Sequence, residues 1–284
     1  MPVKSGAASY WNSLASSYAA LGSPLRPARE DIRFMEAAVA GWAAWHSRAP
    51  RAVLIGVTPD IAQMAWPAQT SLTAVDSSLT MVSALWPRNG SHCKRRLVVA
   101  DWRALPLGRG ACDIVIGDGS INCLPYPDGF RSLAAEISGV LGAEGLLVLR
   151  CYIQPELQEQ PDQVLAELFT ERIPSFHHFK FRLLMALQPS AHTGIAVNDA
   201  YEFWASSAVD EARLAARPGW EQAAIEMIRL YRGTDTVHTF PTRAELRAVL
   251  DESFDEVSVS IPSYCLGERC PTILFRPRQG LRAG

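Results

Sequence analysis

The apolar positions of this chain fall into two rhythms. From Tyr10 to Ala20 and from Arg29 to Trp45 they recur at three- and four-residue spacing, the period of an amphipathic helix, and Gly22-Ser23-Pro24-Leu25-Arg26-Pro27 breaks the pattern between them. At Arg51 the rhythm changes to short, nearly continuous apolar runs: Arg51–Gly56, Ser71–Asp76, Arg96–Ala100, Cys112–Gly117 and Gly145–Tyr152. Helical patterns lie between them at Pro59–Trp66, Ser78–Trp86 and Asp128–Leu141, the last closed by Gly142. Runs without alternation suit strands buried on both faces, so the order of elements predicts an α/β fold, a parallel sheet with helices on both sides.

From residue 153 to 239 no clear strand is visible. Helical patterns appear at Pro161–Glu171, His178–Gln188, Asn198–Ala216 and Trp220–Tyr231. The sheet then resumes with a helix at Pro241–Leu250, proline in its first turn, and two strands, Phe254–Ile261 and Cys270–Phe275, joined through a loop containing Gly267. Strands joined in this way are antiparallel. The expected organisation is N-terminal helices over 1–50, a sheet domain over 51–152 and 240–284, and a helical insert over 153–239. The insert is too long for a loop and needs packed structure of its own. It leaves the fifth strand at its carboxyl end, which places it over the ligand-binding edge as a substrate cap.

Composition narrows the class. A hydrophobic fraction of 48%, a charged fraction of 20% and a net charge of −2 over 284 residues fit a soluble enzyme and leave no electrostatic footprint for nucleic acid. The basic run Lys94-Arg95-Arg96 is short and reads as a solvated turn before a strand. The six cysteines form no CxxC pair and have no histidine at zinc spacing, so no metal is expected and the thiols read as small buried hydrophobes in a reducing cytoplasm. Met1 to Tyr10 lacks a signal-peptide core, and Met35–Trp45 is too short to cross a bilayer, so no membrane partner is expected. Asn89-Gly90-Ser91 is read as a turn. Twenty-four of the 27 basic residues are arginine, the usage of a GC-rich bacterial genome. Oligomeric state leaves no pattern.

Parallel sheets bind ligands at the carboxyl ends of their strands. Those ends hold Gly56, Asp76, Asp101, Asp118 and Arg150. Gly56 is either a cofactor-contacting glycine or a plain turn. Asp76, 20 residues on, is placed to accept from both hydroxyls of an adenosine ribose, or to cap the helix beginning near Ser78. Asp101-Trp102 offers a carboxylate for an adenine amino group and an indole for the ring face, or a turn acid beside a buried tryptophan. Asp118-Gly119-Ser120 leaves the fourth strand beside a cofactor's reactive end. The three strand ends fall in the order that adenosine recognition requires.

With these residues in place, the run from about Arg51 to Tyr152 resembles the class I S-adenosylmethionine-dependent methyltransferase domain. Asp76 matches the family's ribose acid and Asp101-Trp102 its adenine pair. The run from Cys112 to Asp118 resembles its fourth-strand motif, and the run from Glu136 to Leu149 its helix-to-strand signature. The closing hairpin, Phe254 to Phe275, matches the family's sixth and seventh strands, the seventh antiparallel. The likeness covers about two thirds of the chain. It implies a Rossmann-like seven-stranded sheet, S-adenosylmethionine as cofactor, and contacts from Gly56, Val57, Thr58, Pro59, Asp76, Ser77, Met81, Asp101, Trp102, Asp118, Gly119 and Ser120. The first turn departs from the pattern. Ile55-Gly56-Val57-Thr58-Pro59 has one glycine and no preceding acid, leaving the Thr58 hydroxyl to replace glycine amides.

Methyl transfer from a sulfonium is an in-line displacement for which near-attack geometry supplies about 7–11 kcal/mol, so a base is needed mainly for hydroxyl or ammonium acceptors. The candidates are Asp118, His177, His178 and Tyr152. His177 and His178 open a helix, where the alternative is one exposed and one packed side chain. Arg150 either holds an anionic group of a small-molecule substrate or forms a structural ion pair. Phe176 and Phe179, with Phe181, Tyr201, Phe203 and Trp204, either line the acceptor pocket or form the insert's core. Tyr10, Trp11, Tyr18 and Arg26 are placed to fold over the cofactor. Two other classes stay open: a non-catalytic cofactor-binding or scaffolding protein with a degenerate site, and a nicotinamide-dependent oxidoreductase, for which the first turn has too few glycines.

Overall fold

The computed structural model describes residues 5–87, 93–218 and 220–278; the Asn89-Gly90-Ser91 turn lies outside them. Two helices come first, α1 (Ser5–Ser17) with a 3₁₀ turn over Tyr18–Ala20, and α2 (Arg29–His46). The strands and helices of the sheet follow in the expected order: β1 (Arg51–Ile55), α3 (Pro59–Ala62), β2 (Ser71–Asp76), α4 (Leu79–Leu85), β3 (Lys94–Val99), β4 (Cys112–Asp118), α5 (Asp128–Val140) and β5 (Leu141–Arg150). The insert contains α6 (Pro161–Ala166), α7 (Phe176–Leu187), β6 (Ile195–Ala196), α8 (Val197–Ser206), α9 (Glu211–Ala215), α10 (Gln222–Glu226) and β7 (Val237–His238). The chain closes with α11 (Arg243–Leu250), β8 (Phe254–Ser260) and β9 (Thr272–Pro277).

The main sheet runs β3-β2-β1-β4-β5-β9-β8. β1 to β5 are parallel, with Leu54 level with Ala74 on one side and Ile116 on the other. β9 pairs antiparallel with both β5 and β8. The period-two alternation of side chains divides the strands between two cores. Val53, Ile55 and Val115 face α5 and α11, while Ala52, Leu54 and Ile116 face α2 and α3. A third core belongs to the insert, where α7 is buried from Phe176 to Ala186 and packs against Trp204, Leu214, Trp220 and Ile228.

Asn122, in the loop after β4, ties the two ends of the insert together. Its Nδ2 donates to the carbonyls of Tyr152 and Thr239, both at 2.7 Å, and its Oδ1 accepts from the Tyr152 amide at 2.9 Å. Its own carbonyl accepts from the Thr239 amide. Gln188 grips Phe240 from the other side through the backbone carbonyl and amide.

Several boundaries differ from the sequence expectation. The helix expected over Pro59–Trp66 stops at Ala62, and Trp66 folds back so that its indole donates to the Ile61 carbonyl. The Asn198–Ala216 helix is broken in two, with Ala208 at φ +52° and Asp210 capping α9. Gly142 does not end α5 but lies within β5. Pro241 precedes α11, whose N-cap is Thr242 in a capping box with Glu245. The insert also contains the two-stranded ribbon β6–β7, where no strand was expected. Among the described residues no helix is long and apolar enough to cross a membrane.

Candidate active site

The polar residues at the strand ends converge. One cavity of about 170 Å³ is walled by Gly56, Val57 and Thr58 after β1, Asp76 at the end of β2, Met81 of α4, Trp102, and Asp118, Gly119 and Ser120 after β4. Its other walls are Tyr10, Trp11 and Tyr18 of the N-terminal helix and Lys180, Phe181, Tyr231, His238 and Phe240 of the insert and its edge. A second cavity, about 370 Å³, adjoins it through the shared walls Trp11, Asp76, Met81, Trp102 and Cys123, and adds Ser77 and Asp101. Together these volumes are far larger than a few bridging waters need.

The turn after β1 is built for close approach. Gly56 has φ +105°, and its amide donates to the Val75 carbonyl at 2.8 Å. A side chain would be strained there. Ser120 closes the same corner by donating to the Ile55 carbonyl at 2.7 Å. Gly119 at φ +61° lies against Tyr152, whose ring would stand 2.6 Å from an added Cβ.

Asp76 is 8% exposed, and only its Oδ1 is bonded within the described protein, by the Ser78 amide at 2.7 Å. Burial pushes its carboxyl up to about 6, against the lowering effect of that bond. Ser78, not Asp76, caps α4, through its hydroxyl and the Met81 amide. The Trp102 indole donates to the Val75 carbonyl at 2.6 Å, holding the ring against the cavity wall. Asp101 is placed less freely than its position suggests: Arg103 forms an ion pair with it and also bonds it from its backbone amide. Pro59 starts α3 and is not among the cavity walls.

Of the four base candidates, two leave the site. His177 and His178 are both buried in the insert, His177 bonded to the Ala20 carbonyl and His178 to the Ser175 hydroxyl. Burial lowers both to about 4. Tyr152 reaches the cavity, but burial and the nearby Asp118 hold its hydroxyl well above its ordinary range. Asp118 lines the cavity, and burial raises its carboxyl although Arg150 opposes the shift.

Arg150 is a structural hub rather than a substrate anchor. Fully buried, it bonds Asp118 at 2.7 Å, the Tyr152 hydroxyl at 3.1 Å, the Pro24 carbonyl at 2.5 Å and the Tyr264 hydroxyl at 3.0 Å, and it pairs with Asp31. Four of its five N–H donors are hydrogen-bonded, the fifth, on Nε, lies 3.4 Å from Asp31, and the side chain is not among the cavity walls. Phe176 and Phe179 pack on Trp204 inside the insert, away from the cavity, because α7, buried on every side, turns that face to the insert's own core. Arg26 is held by Asp60, which also accepts from Tyr18. Lys180, Tyr231 and His238 were not singled out by the sequence, and they face the cavity instead.

The strand order, the antiparallel seventh strand and the ligand edge settle the architecture. The fold is that of a class I methyltransferase. Solved structures of this fold align along nearly the whole chain. The CcbJ methyltransferase from Streptomyces caelestis matches with TM-score 0.52 and 14% identity, over 95% of this chain and 98% of that one. The 1,6-didemethyltoxoflavin-N1-methyltransferase of Burkholderia thailandensis, solved with its substrate and S-adenosylhomocysteine, matches with TM-score 0.51 and 15% identity, over 98% and 93%. A Rhodobacter sphaeroides protein described as a Zn-dependent alcohol dehydrogenase matches with TM-score 0.56 and 15% identity, over 97% and 99%. At such identities the likeness is one of fold. No family model and no curated protein matches the sequence. Among the described residues no group of three or more His, Cys, Asp or Glu could hold a metal ion.

Proposed function

We propose that this chain transfers a methyl group from S-adenosylmethionine to a small-molecule acceptor. The observation that carries the reading is Asp76: a buried carboxylate at the end of β2, with one oxygen unbonded, opening into the cavity that Gly56 and Trp102 also wall. An ionised acid so placed accepts from both ribose hydroxyls of an adenosine, and the indole of Trp102 covers the base. The Gly56–Thr58 turn and Asp118–Ser120 then flank the amino-acid end. When bound, the cofactor supplies an electrophilic methyl carbon. The protein holds the acceptor in line with that carbon and excludes water. The insert, clamped at both ends by Asn122, serves as the substrate cap. A nicotinamide dinucleotide fits the same edge poorly. Its pyrophosphate needs backbone N–H groups at a glycine-rich turn, whereas here Pro59, without an N–H, starts a helix of only four residues.

Calorimetric titration with S-adenosylhomocysteine and with NADH tests the reading. S-adenosylhomocysteine binds and NADH does not. Asp76→Ala weakens binding about tenfold or more, since a hydrogen bond to a charged group contributes roughly 1.5–3 kcal/mol. Binding of NADH alone, or an unchanged affinity in folded Asp76→Ala, refutes it.

A further inference from the structure

Lys180 is one of three lysines in a chain with 24 arginines, and it is 2% exposed. It projects from α7 into the cavity wall, where its ammonium nitrogen lies 5.6 Å from the centre of the Tyr231 ring. Among the described residues no carboxylate pairs with it, and no hydrogen bond holds its amine. A buried amine without a counter-ion is costly when charged, and of the two basic side chains only lysine can shed its proton there. Around it the walls are flat rings. Tyr231 stands 6.0 Å from Tyr10, His238 stands 6.3 Å from Phe240, and Phe240 stands 6.0 Å edge-on from Phe181. Phe181 in turn packs on Tyr152, which rests on Gly119 at the proposed methyl end.

We propose that Lys180 binds and activates the acceptor, and that the acceptor is a planar aromatic compound bearing a hydroxyl group. The inference rests on the methyltransferase reading. The ring enters between the aromatic walls, where stacking and edge contacts favour flat molecules. The neutral amine of Lys180 takes the hydroxyl proton. The oxygen lone pair forms a bond to the methyl carbon, and the carbon–sulfur bond breaks with its electrons staying on sulfur. The products are a methyl ether, S-adenosylhomocysteine and the Lys180 ammonium, which returns its proton to solvent when the site opens. Burial lowers Lys180 to about 7, so the unprotonated amine is populated near neutrality. The other titratable groups lining this cavity are Tyr10, Tyr18, Asp76, Asp118, Cys123, Tyr152, Tyr231 and His238, with His177 adjacent on α7; Asp76 lies at the proposed ribose site and Asp118 is held by Arg150. Burial holds the four tyrosines and the Cys123 thiol in their neutral forms and lowers His238 to about 4. Lys180 is therefore the group poised to accept a proton near neutral pH.

The test uses the full chain saturated with S-adenosylhomocysteine and two probes of one shape, 4-nitrophenol and 4-nitroanisole, which lacks the acidic proton. In the wild type the phenol-to-phenolate absorbance change of bound 4-nitrophenol moves at least one pH unit below that of the free probe. In Lys180→Met, an apolar replacement of similar length suited to a buried site, that displacement disappears and 4-nitrophenol binds at least tenfold more weakly. Affinity for 4-nitroanisole stays within about twofold. An unchanged displacement and affinity in Lys180→Met overturns the role of Lys180. Failure of both probes to bind the wild-type complex overturns the aromatic acceptor. Failure of S-adenosylhomocysteine itself to bind overturns the methyltransferase reading beneath it. Circular dichroism and the S-adenosylhomocysteine affinity of Lys180→Met confirm that the variant folds.

Discussion

Asp76 shows how a buried acid lining a cavity costs stability at one residue. In the unfolded chain its carboxyl ionises near 3.9, whereas in the folded protein burial moves this to about 6. The folded state therefore holds the proton more tightly, a contribution that is fully present below about pH 4 and lost as pH rises through 6. Asp76→Asn keeps an oxygen for the Ser78 amide but removes the charge. At pH 8 it raises the denaturation midpoint, by up to about 3 kcal/mol of stability for a two-unit shift, and the advantage shrinks toward zero at pH 4. The same variant binds S-adenosylhomocysteine weakly at every pH, while wild-type affinity climbs as pH rises through 6. Denaturant melts and calorimetry at four pH values check both, and a flat wild-type profile contradicts the ribose role. The position of Asp76 at the mouth of the cavity was legible because its strand ends in a carboxylate 20 residues after Gly56. Arg150 was legible as a strand-end residue with an ion pair as one of its two readings, but not its partners, since Pro24, Asp31 and Tyr264 all lie more than a hundred residues away. Lys180 and His238 left no signal: one lies on a helix buried on every side among other basic side chains, the other in a two-residue strand.

At the scale of elements, the buried parallel strands announced themselves because a continuous apolar run has few other stable uses. The insert was harder to divide. Apolar periodicity carries through Ser207 to Asp210, and only Asp210, with its side chain on the Arg213 amide, marked the new helix start. The Thr242–Glu245 capping box was likewise present in the sequence and locates the start of α11 better than Pro241 does. Asn122 joins loop, insert and sheet through three side-chain bonds to backbone, none of them suggested by spacing. Each such bond contributes about 1 kcal/mol, and unpaired buried groups cost more, so Asn122→Ala lowers stability by about 3 kcal/mol or more. Urea denaturation followed by tryptophan fluorescence measures this, and a midpoint within error of the wild type would show that the clamp is not used.

For the molecule as a whole, the three cores imply unequal mobility. The sheet is packed on both faces, whereas the insert meets it through the ends clamped by Asn122 and Gln188, through Glu159 on Arg269 and through the walls of the cavity. Hydrogen exchange over 153–239 should slow when S-adenosylhomocysteine binds, with β1, β2 and β4 little changed. Equal exchange in both states would remove the cap from the mechanism. The Arg150 hub bears on a different matter, the order in which a ribosome delivers the chain. Pro24 and Asp31 emerge early, Arg150 midway, and Tyr264, which bonds both Arg150 and Asp31, near the end. Both carboxylates that neutralise Arg150, Asp31 and Asp118, are synthesised before it, so its burial strands no charge. Only the Tyr264 contact waits for the closing strands, so the last stretch to be made seals a charge cluster whose other members are already present.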